Sequence, residues 1–564
     1  MPLQLLFFAL PSALPMKRFT LLAVLLLLTA CRPAPATPLP TAAPTAVAVG
    51  SAAAPPPAGP GQPTATDNAT QAATASPLPP STPAPPPAGL APIFDIDPQD
   101  RAPYAAGLVN AAADDVPGAP VYHLDIAIDD GMTTVEGRQT VYYTNQEDTL
   151  LREIVFHLHA NVLDSAIAVS DLTVDGVAAR TAISGSSRSI LTVALPAPLP
   201  SGESVTIDLR FRTDVATTIG RNYGVLAFSE GILALAHFYP MLSVYDDTGW
   251  NMAEADIQGD LTYSDAAYYL VRVSAPVGIA VVASGVEVEA QGSRGVGEQG
   301  GEERQTTTYA VGPARDFYLA AGAFVVVSER VGATTINSYA PAELADGAAL
   351  ALDVAAATLA INEARLSPFP YTELDIVTTP TAALGIEYPG LIVGTLRMYD
   401  IAAETRSGVP MSDILESTTA HEVVHQWFYN LVGNDQLDEP WLDESMTGYQ
   451  TYRYYVDRYG QSAGDGYFAN FAARWEGVDR AEIPIGLPVR AYRGAEYGAI
   501  VYGRGPFFLR ELEETLGRET FDTFLRDYAA TYRWGISDTA AFRALAEGHC
   551  TCDLGQLFAD WVYE

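Results

Sequence analysis

The sequence predicts an α+β multidomain protein, with a β-rich region ahead of a mainly helical one. Three observations predict this. The chain has 564 residues, enough for more than one core. From about residue 93 to 330, short alternating apolar runs are bounded by turn residues. From 331 to 564, longer Ala- and Leu-rich stretches take over.

The organisation along the chain is read in order. Lys17 and Arg18 precede an apolar run reaching Leu28, the layout of a secretory signal within residues 1–30. The run ends Leu28-Thr29-Ala30-Cys31 and resembles a bacterial lipoprotein signal, which implies cleavage before Cys31 and lipid attachment to its sulfur. Met16 is read as the natural start. Residues 31–92 are dominated by Pro, Ala, Thr, Ser and Gly, which cannot offset their ordering entropy by burial. They are expected to form a disordered, semi-extended spacer between a membrane and a folded head. The molecule is therefore expected outside the cytoplasm, anchored at Cys31 or secreted. No later stretch is expected to be long and apolar enough to span a bilayer.

In the β-rich region, 93–330, Tyr122-His123-Leu124-Asp125-Ile126-Ala127-Ile128 alternates as a half-buried strand does. Further strands are expected at 139–143, 204–211, 268–274 and 278–283, with turns at Asp130-Gly131, Ser201-Gly202 and Pro313. Residues 291–305, rich in Gly and charge, are expected to be an exposed loop. In 331–564, residues 347–365 read as a helix and 371–379 as a strand. Asp413 and Glu416 are spaced like a capping box opening a helix through Leu431. Later helices are expected at 506–516, 519–530 and 539–547.

Composition narrows the function. Hydrophobic residues make up 48% of the chain, ample for sizeable cores. A net charge of −36, from 31 basic and 67 acidic side chains, argues against nucleic-acid binding, which needs a basic footprint. Such a chain stays solvated and attracts cationic substrates such as peptide N-termini. Cys31, Cys550 and Cys552 are too few for a disulfide framework. Cys550 and Cys552 are read as a short-loop bridge, structural or free thiols, or a spare metal site.

The chemistry gathers at His421-Glu422-Val423-Val424-His425. On a helix, residues four apart share a face, so both imidazoles can reach one metal ion. Glu422 then reaches the metal's water without ligating the metal. Glu444 follows His425 after an 18-residue gap and completes a three-ligand set with a fourth position open. The set predicts one zinc ion and hydrolysis of a peptide bond, with Glu422 as general base. A helix carrying two surface histidines is the bland alternative, weakened by a chain with only 7 histidines.

These residues resemble the M1 family of zinc aminopeptidases, a branch of the gluzincins. The family pairs HExxH with a later glutamate in a Trp-Leu-Asn/Asp-Glu-Gly context, here Trp441-Leu442-Asp443-Glu444-Ser445. Upstream, Leu384-Gly385-Ile386-Glu387 resembles the family's substrate-binding Gly-x-Met-Glu-Asn strand, implying that Gly385 and Glu387 bind substrate, with Glu387 on its free α-amine. Downstream, Tyr502-Gly503-Arg504-Gly505 resembles a Tyr-x-Lys-Gly segment, implying that Tyr502 donates to the oxyanion. Phe238-Tyr239-Pro240, Tyr245-Asp246, Gly249-Trp250 and Arg315-Asp316-Phe317 extend the resemblance across 118–564. It implies a saddle-like β domain followed by a thermolysin-like catalytic domain, without the C-terminal helical domain many members carry. Expected partners are peptides and a membrane. The alternatives are a zinc endopeptidase or other zinc hydrolase with an open cleft, and a non-enzymatic binding module on the same scaffold.

Overall fold

The structure, a computed structural model, describes residues 91–255, 258–291 and 303–563. The expected signal, Cys31, nearly all of the spacer and most of the 291–305 loop lie outside the described residues. The described residues fall within one compact unit.

Among the described residues the N-terminal part is β-rich, with only short 3-10 turns at Tyr104–Gly107 and His159–Asn161. Its largest sheet has eight strands, with Arg304–Ala314, Ala267–Pro276, Val121–Ile128, Thr134–Thr144 and Ser204–Asp214 side by side at its centre. Val121–Ile128 runs parallel to Ala267–Pro276 and antiparallel to Thr134–Thr144. The expected strands at 122–128, 139–143, 204–211, 268–274 and 278–283 all fall on strands. The expected half-burial holds from Leu124 to Ile128, where Asp125 and Ala127 are the less buried positions, but not at His123. His123 is fully buried, because Phe94 and Tyr104, from the segment that enters the fold, pack over the sheet's outer face. The Tyr104 hydroxyl lies 2.6 Å from His123 Nε2. The sequence alternation marked the strand but not the chain that covers it.

The C-terminal part opens with a five-stranded sheet ordered Val325–Val331, Thr334–Ala340, Glu373–Thr379, Leu391–Thr395, Gly385–Tyr388. Val325–Val331 pairs with Thr334–Ala340 as a hairpin, so this sheet begins ahead of residue 331, the start expected for the catalytic domain. Thr334–Ala340 and Glu373–Thr379 are parallel, joined by the crossover helix Ala345–Arg365. Gly385–Tyr388 is the antiparallel edge strand.

Two expectations need correction here. The helical stretch Ala342–Arg365 has a mean hydropathy of 1.7 and is, by length and composition, long and apolar enough to cross a membrane. One face of it packs closely in the protein: a Cβ on Gly347 would lie 2.3 Å from the Tyr399 carbonyl oxygen. The motif helix spans Met411–Val424 and does not run through Leu431. It begins after Pro410 with no side-chain cap, so Asp413 and Glu416 form no capping box; Glu416 accepts hydrogen bonds from Tyr454 and Tyr459 instead. The helix ends at His425 because the next turns widen: the amides of Asn430, Leu431 and Val432 bond to the carbonyls of His425, Gln426 and Trp427. Tyr429 there takes φ 121°, a conformation costly for any side chain but glycine. The helices Gly505–Leu516, Arg518–Thr531 and Thr539–Cys550 match the expected ones. Cys550 and Cys552 are disulfide-bonded to each other, which removes the free-thiol and metal readings.

Candidate active site

Three elements meet at the site. The motif helix supplies His421, Glu422 and, at its C-terminus, His425. Helix Trp441–Tyr459 supplies Glu444 from its first turn, where the positive end of the helix dipole favours acidic side chains. The edge strand supplies Gly385 and Glu387. Gln426 braces strand against helix: its Nε2 donates to Tyr388 O at 2.9 Å and its Oε1 accepts from Gly390 N at 2.9 Å.

His421 Nε2 stands 3.1 Å from Glu444 Oε2 and 3.2 Å from His425 Nε2, and His425 Nε2 stands 3.4 Å from Glu444 Oε2. Tetrahedral ligands 2.0–2.1 Å from zinc stand about 3.3 Å apart, so the three donors fit one such ion. His425 Nδ1 lies 2.9 Å from the Phe428 carbonyl oxygen, a bond that turns Nε2 inward. Electrostatics favour a cation. Burial lowers the His425 pKa, but Glu387, Glu444 and Glu422 outweigh it and raise the imidazole well above its ordinary value. Burial likewise raises Glu444, yet its bonds to His421 and His425 hold it well below the carboxylate range. The carboxylates that draw a proton onto His425 offer the same attraction to a metal ion.

Around this triad stand the other expected residues. Glu422 is buried, and burial, then Glu387, raises its carboxyl well above the ordinary range. Glu387, Glu422 and His425 place ligand-type atoms within 4.8 Å of one another. A Cβ on Gly385 would come within 2.3 Å of Glu422 Oε1, so only glycine leaves this carboxylate its place. Tyr502 lies on a π-helical turn, Ile500–Arg504, and its hydroxyl donates to Glu444 Oε1. Burial and Glu444 raise that phenol well above 10, so it remains a hydrogen-bond donor.

The departures from the family pattern have structural reasons. Ser445 donates to Val501 O at 2.6 Å, tying the Glu444 helix to the turn that carries Tyr502. Arg504 donates to Ile483 O and Trp561 O at 2.9 and 2.7 Å and lies over the Trp561 ring, holding the last turn of the chain.

Sequence reasoning missed Asp260. It comes from the β-rich part, and its carboxyl is raised well above the ordinary range by burial, then by Glu387, Glu444 and Asp443. No spacing to the metal motif marks it. It was also missed that Arg315 locks the two parts together. Its guanidinium is buried and donates to Tyr429 O, Ser264 O and Gly535 O at 2.8, 3.0 and 2.5 Å.

Comparison with known proteins agrees with this geometry. Residues 350–561 match the family model for the Peptidase family M1 domain. "Probable aminopeptidase 2" of Sulfurisphaera tokodaii is 26% identical over 43% of this chain and 32% of its own length. "Aminopeptidase M1" of Arabidopsis thaliana is 26% identical over 45% of this chain and 30% of its own. The chain thus aligns with about a third of the length of these curated relatives. An M1 zinc metallopeptidase from Deinococcus radiodurans, solved as a glutamate-to-alanine mutant, is 19% identical with a TM-score of 0.57, covering 79% of this chain and 94% of that one. Another structure of that mutant, bound to a Tyr-Ser-Ala substrate, has a TM-score of 0.55 at 20% identity, covering 79% of this chain and 94% of that one. The two-part fold, β-rich then helical, is the fold of those structures.

Proposed function

We propose that the protein is a zinc aminopeptidase of the M1 family, from the match of residues 350–561 to the Peptidase family M1 domain. The observation that carries the proposal is the meeting of two groupings at one place: His421, His425 and Glu444 at zinc-ligand spacing, and the carboxylates of Glu387 and Asp260 beside them. Zinc, when bound, supplies a Lewis acid that activates water and polarises the scissile carbonyl. The chain's own residues do the rest. Glu387 and Asp260 hold the substrate's α-ammonium and so fix the cut one residue from the N-terminus. Gly385 clears the space in which Glu422 takes the proton of the attacking water. Glu422 then delivers that proton to the leaving amine. Tyr502 turns its hydroxyl from Glu444 to the oxyanion. The edge strand leaves one side unpaired, along which an extended peptide can align.

Chelation should abolish release of single N-terminal residues, and added zinc should restore it. His425→Ala should lose the metal itself; stoichiometric zinc retained in that variant would remove His425 from the ligand set.

Location belongs to the same proposal. Lys17, Arg18, the apolar run and Cys31 support an extracytoplasmic, lipid-anchored enzyme. The Cys550–Cys552 disulfide is in keeping with an oxidising compartment. Cys31→Ala should abolish incorporation of labelled fatty acid and release the protein from membranes; unchanged labelling would refute the anchor.

A further inference from the structure

Gln436 lies in the loop between the motif helix and the Glu444 helix, and it is 2% exposed. Its side-chain Nε2 donates to Asp443 Oδ2 at 2.8 Å and to Glu387 Oε1 at 3.3 Å. Its Oε1 accepts from Thr262 Oγ1 at 2.9 Å. A carboxylate only accepts and an amide nitrogen has two N–H groups, so both are spent on the two carboxylates and the orientation of the amide is fixed. Thr262 stands two residues beyond Asp260, so the same amide holds the loop that carries the second acidic group of the site.

The anchoring continues behind it. Thr262 Oγ1 touches the Tyr429 hydroxyl at 3.5 Å, and that hydroxyl donates to Asp316 Oδ2 at 2.9 Å. Asp316 in turn meets His237 Nε2 at 2.9 Å. This chain of contacts gives Gln436 a rigid backing in the β-rich part. Neither histidine ligand depends on it: His425 is oriented by Phe428 O, and His421 faces Glu444.

We propose that Gln436 is a positioning residue for amino-terminus recognition, its one amide setting Glu387 and the Asp260 loop at the spacing that an α-ammonium requires. The inference rests on the aminopeptidase reading and names a residue through which that reading acts. It predicts a split. Loss of the amide frees the ammonium-binding carboxylates while the metal ligands and Glu422 keep their places. Affinity for a free amino terminus should therefore fall, and turnover of bound substrate should change much less.

The test uses the zinc-loaded protein and two inhibitors, an α-amino hydroxamate and the same hydroxamate with hydrogen in place of the amine. For Gln436→Met, KM for a free-amine peptide should rise about tenfold with kcat within about threefold, as for loss of hydrogen bonds to charged groups. The amino hydroxamate should weaken by a similar factor and its amine-free partner should not. Thr262→Val removes the Oε1 partner and the long Tyr429 contact, leaves both amide N–H bonds in place, and should give a smaller shift in the same direction, which keeps the test open if the first variant does not fold. Equal weakening of both inhibitors, or a fall in kcat at unchanged KM, would overturn the role of Gln436. If the wild-type protein binds the two inhibitors equally, ammonium recognition itself fails and the proposal falls with it.

Discussion

The site turns on distances too short for any other residue. At Gly385 a single added methyl would lie 2.3 Å from Glu422 Oε1 and force that carboxylate to move. Gly385→Ala is therefore expected to reproduce much of the loss expected of Glu422→Gln, a fall in kcat of roughly 10²–10⁴, the usual size of a general acid–base contribution. Both variants should keep zinc and a near-native melting temperature. Full activity in Gly385→Ala would mean that Glu422 does not act from the position it occupies here. His421, Glu422, His425 and Glu444 were legible in the sequence because ligand chemistry imposes a spacing on a helix. Glu387, Gly385 and Tyr502 were legible only through likeness to a family. Asp260 and Gln436 were not legible by either route. One is among 67 acidic side chains and the other is a loop glutamine, and only the fold brings them to Glu387.

Strands and helices were legible where their period was strong, as in Val121–Ile128 and Ala345–Arg365. Their ends and surroundings were not. The motif helix stops at His425 because Tyr429 and Asn430 turn their carbonyls to Arg315, a residue more than a hundred positions away. His123 was expected on a half-buried strand and lies under a chain segment that no local pattern announces. Its burial carries a pH dependence. Desolvation lowers the imidazole to about 4, below its ordinary 6.5. Above pH 6.5 both folded and unfolded chains hold it neutral, and stability is undiminished. As pH falls from 6.5 towards 4, the unfolded chain takes a proton that the folded one refuses, and stability is lost. By pH 5 this amounts to about 2 kcal/mol. His123→Gln should therefore lose less stability than the wild type between pH 7 and pH 5, read from denaturant midpoints. Parallel losses would mean that His123 titrates normally in the folded protein.

At the scale of the whole molecule, the β-rich part does more than support the catalytic part. It brings Asp260 to Glu387 and Glu444, and Arg315 bonds it to the loop that follows the motif helix. The two-part organisation was legible from the change in apolar pattern near residue 330, whereas this joint was not, because Arg315 acts on backbone carbonyls that any sequence would offer. The surrounding charge, −36 over the chain, suits a substrate that arrives by its ammonium end. The central claim is that the acidic groups beside the metal centre measure off one residue from a free amino terminus. The most direct measurement gives the purified protein matched free and N-acetylated peptides, with and without chelator, and reads the products by mass spectrometry. The account predicts chelator-sensitive release of single N-terminal residues from the free peptides and none from the acetylated ones. Internal cleavage of acetylated peptides at a comparable rate would contradict it.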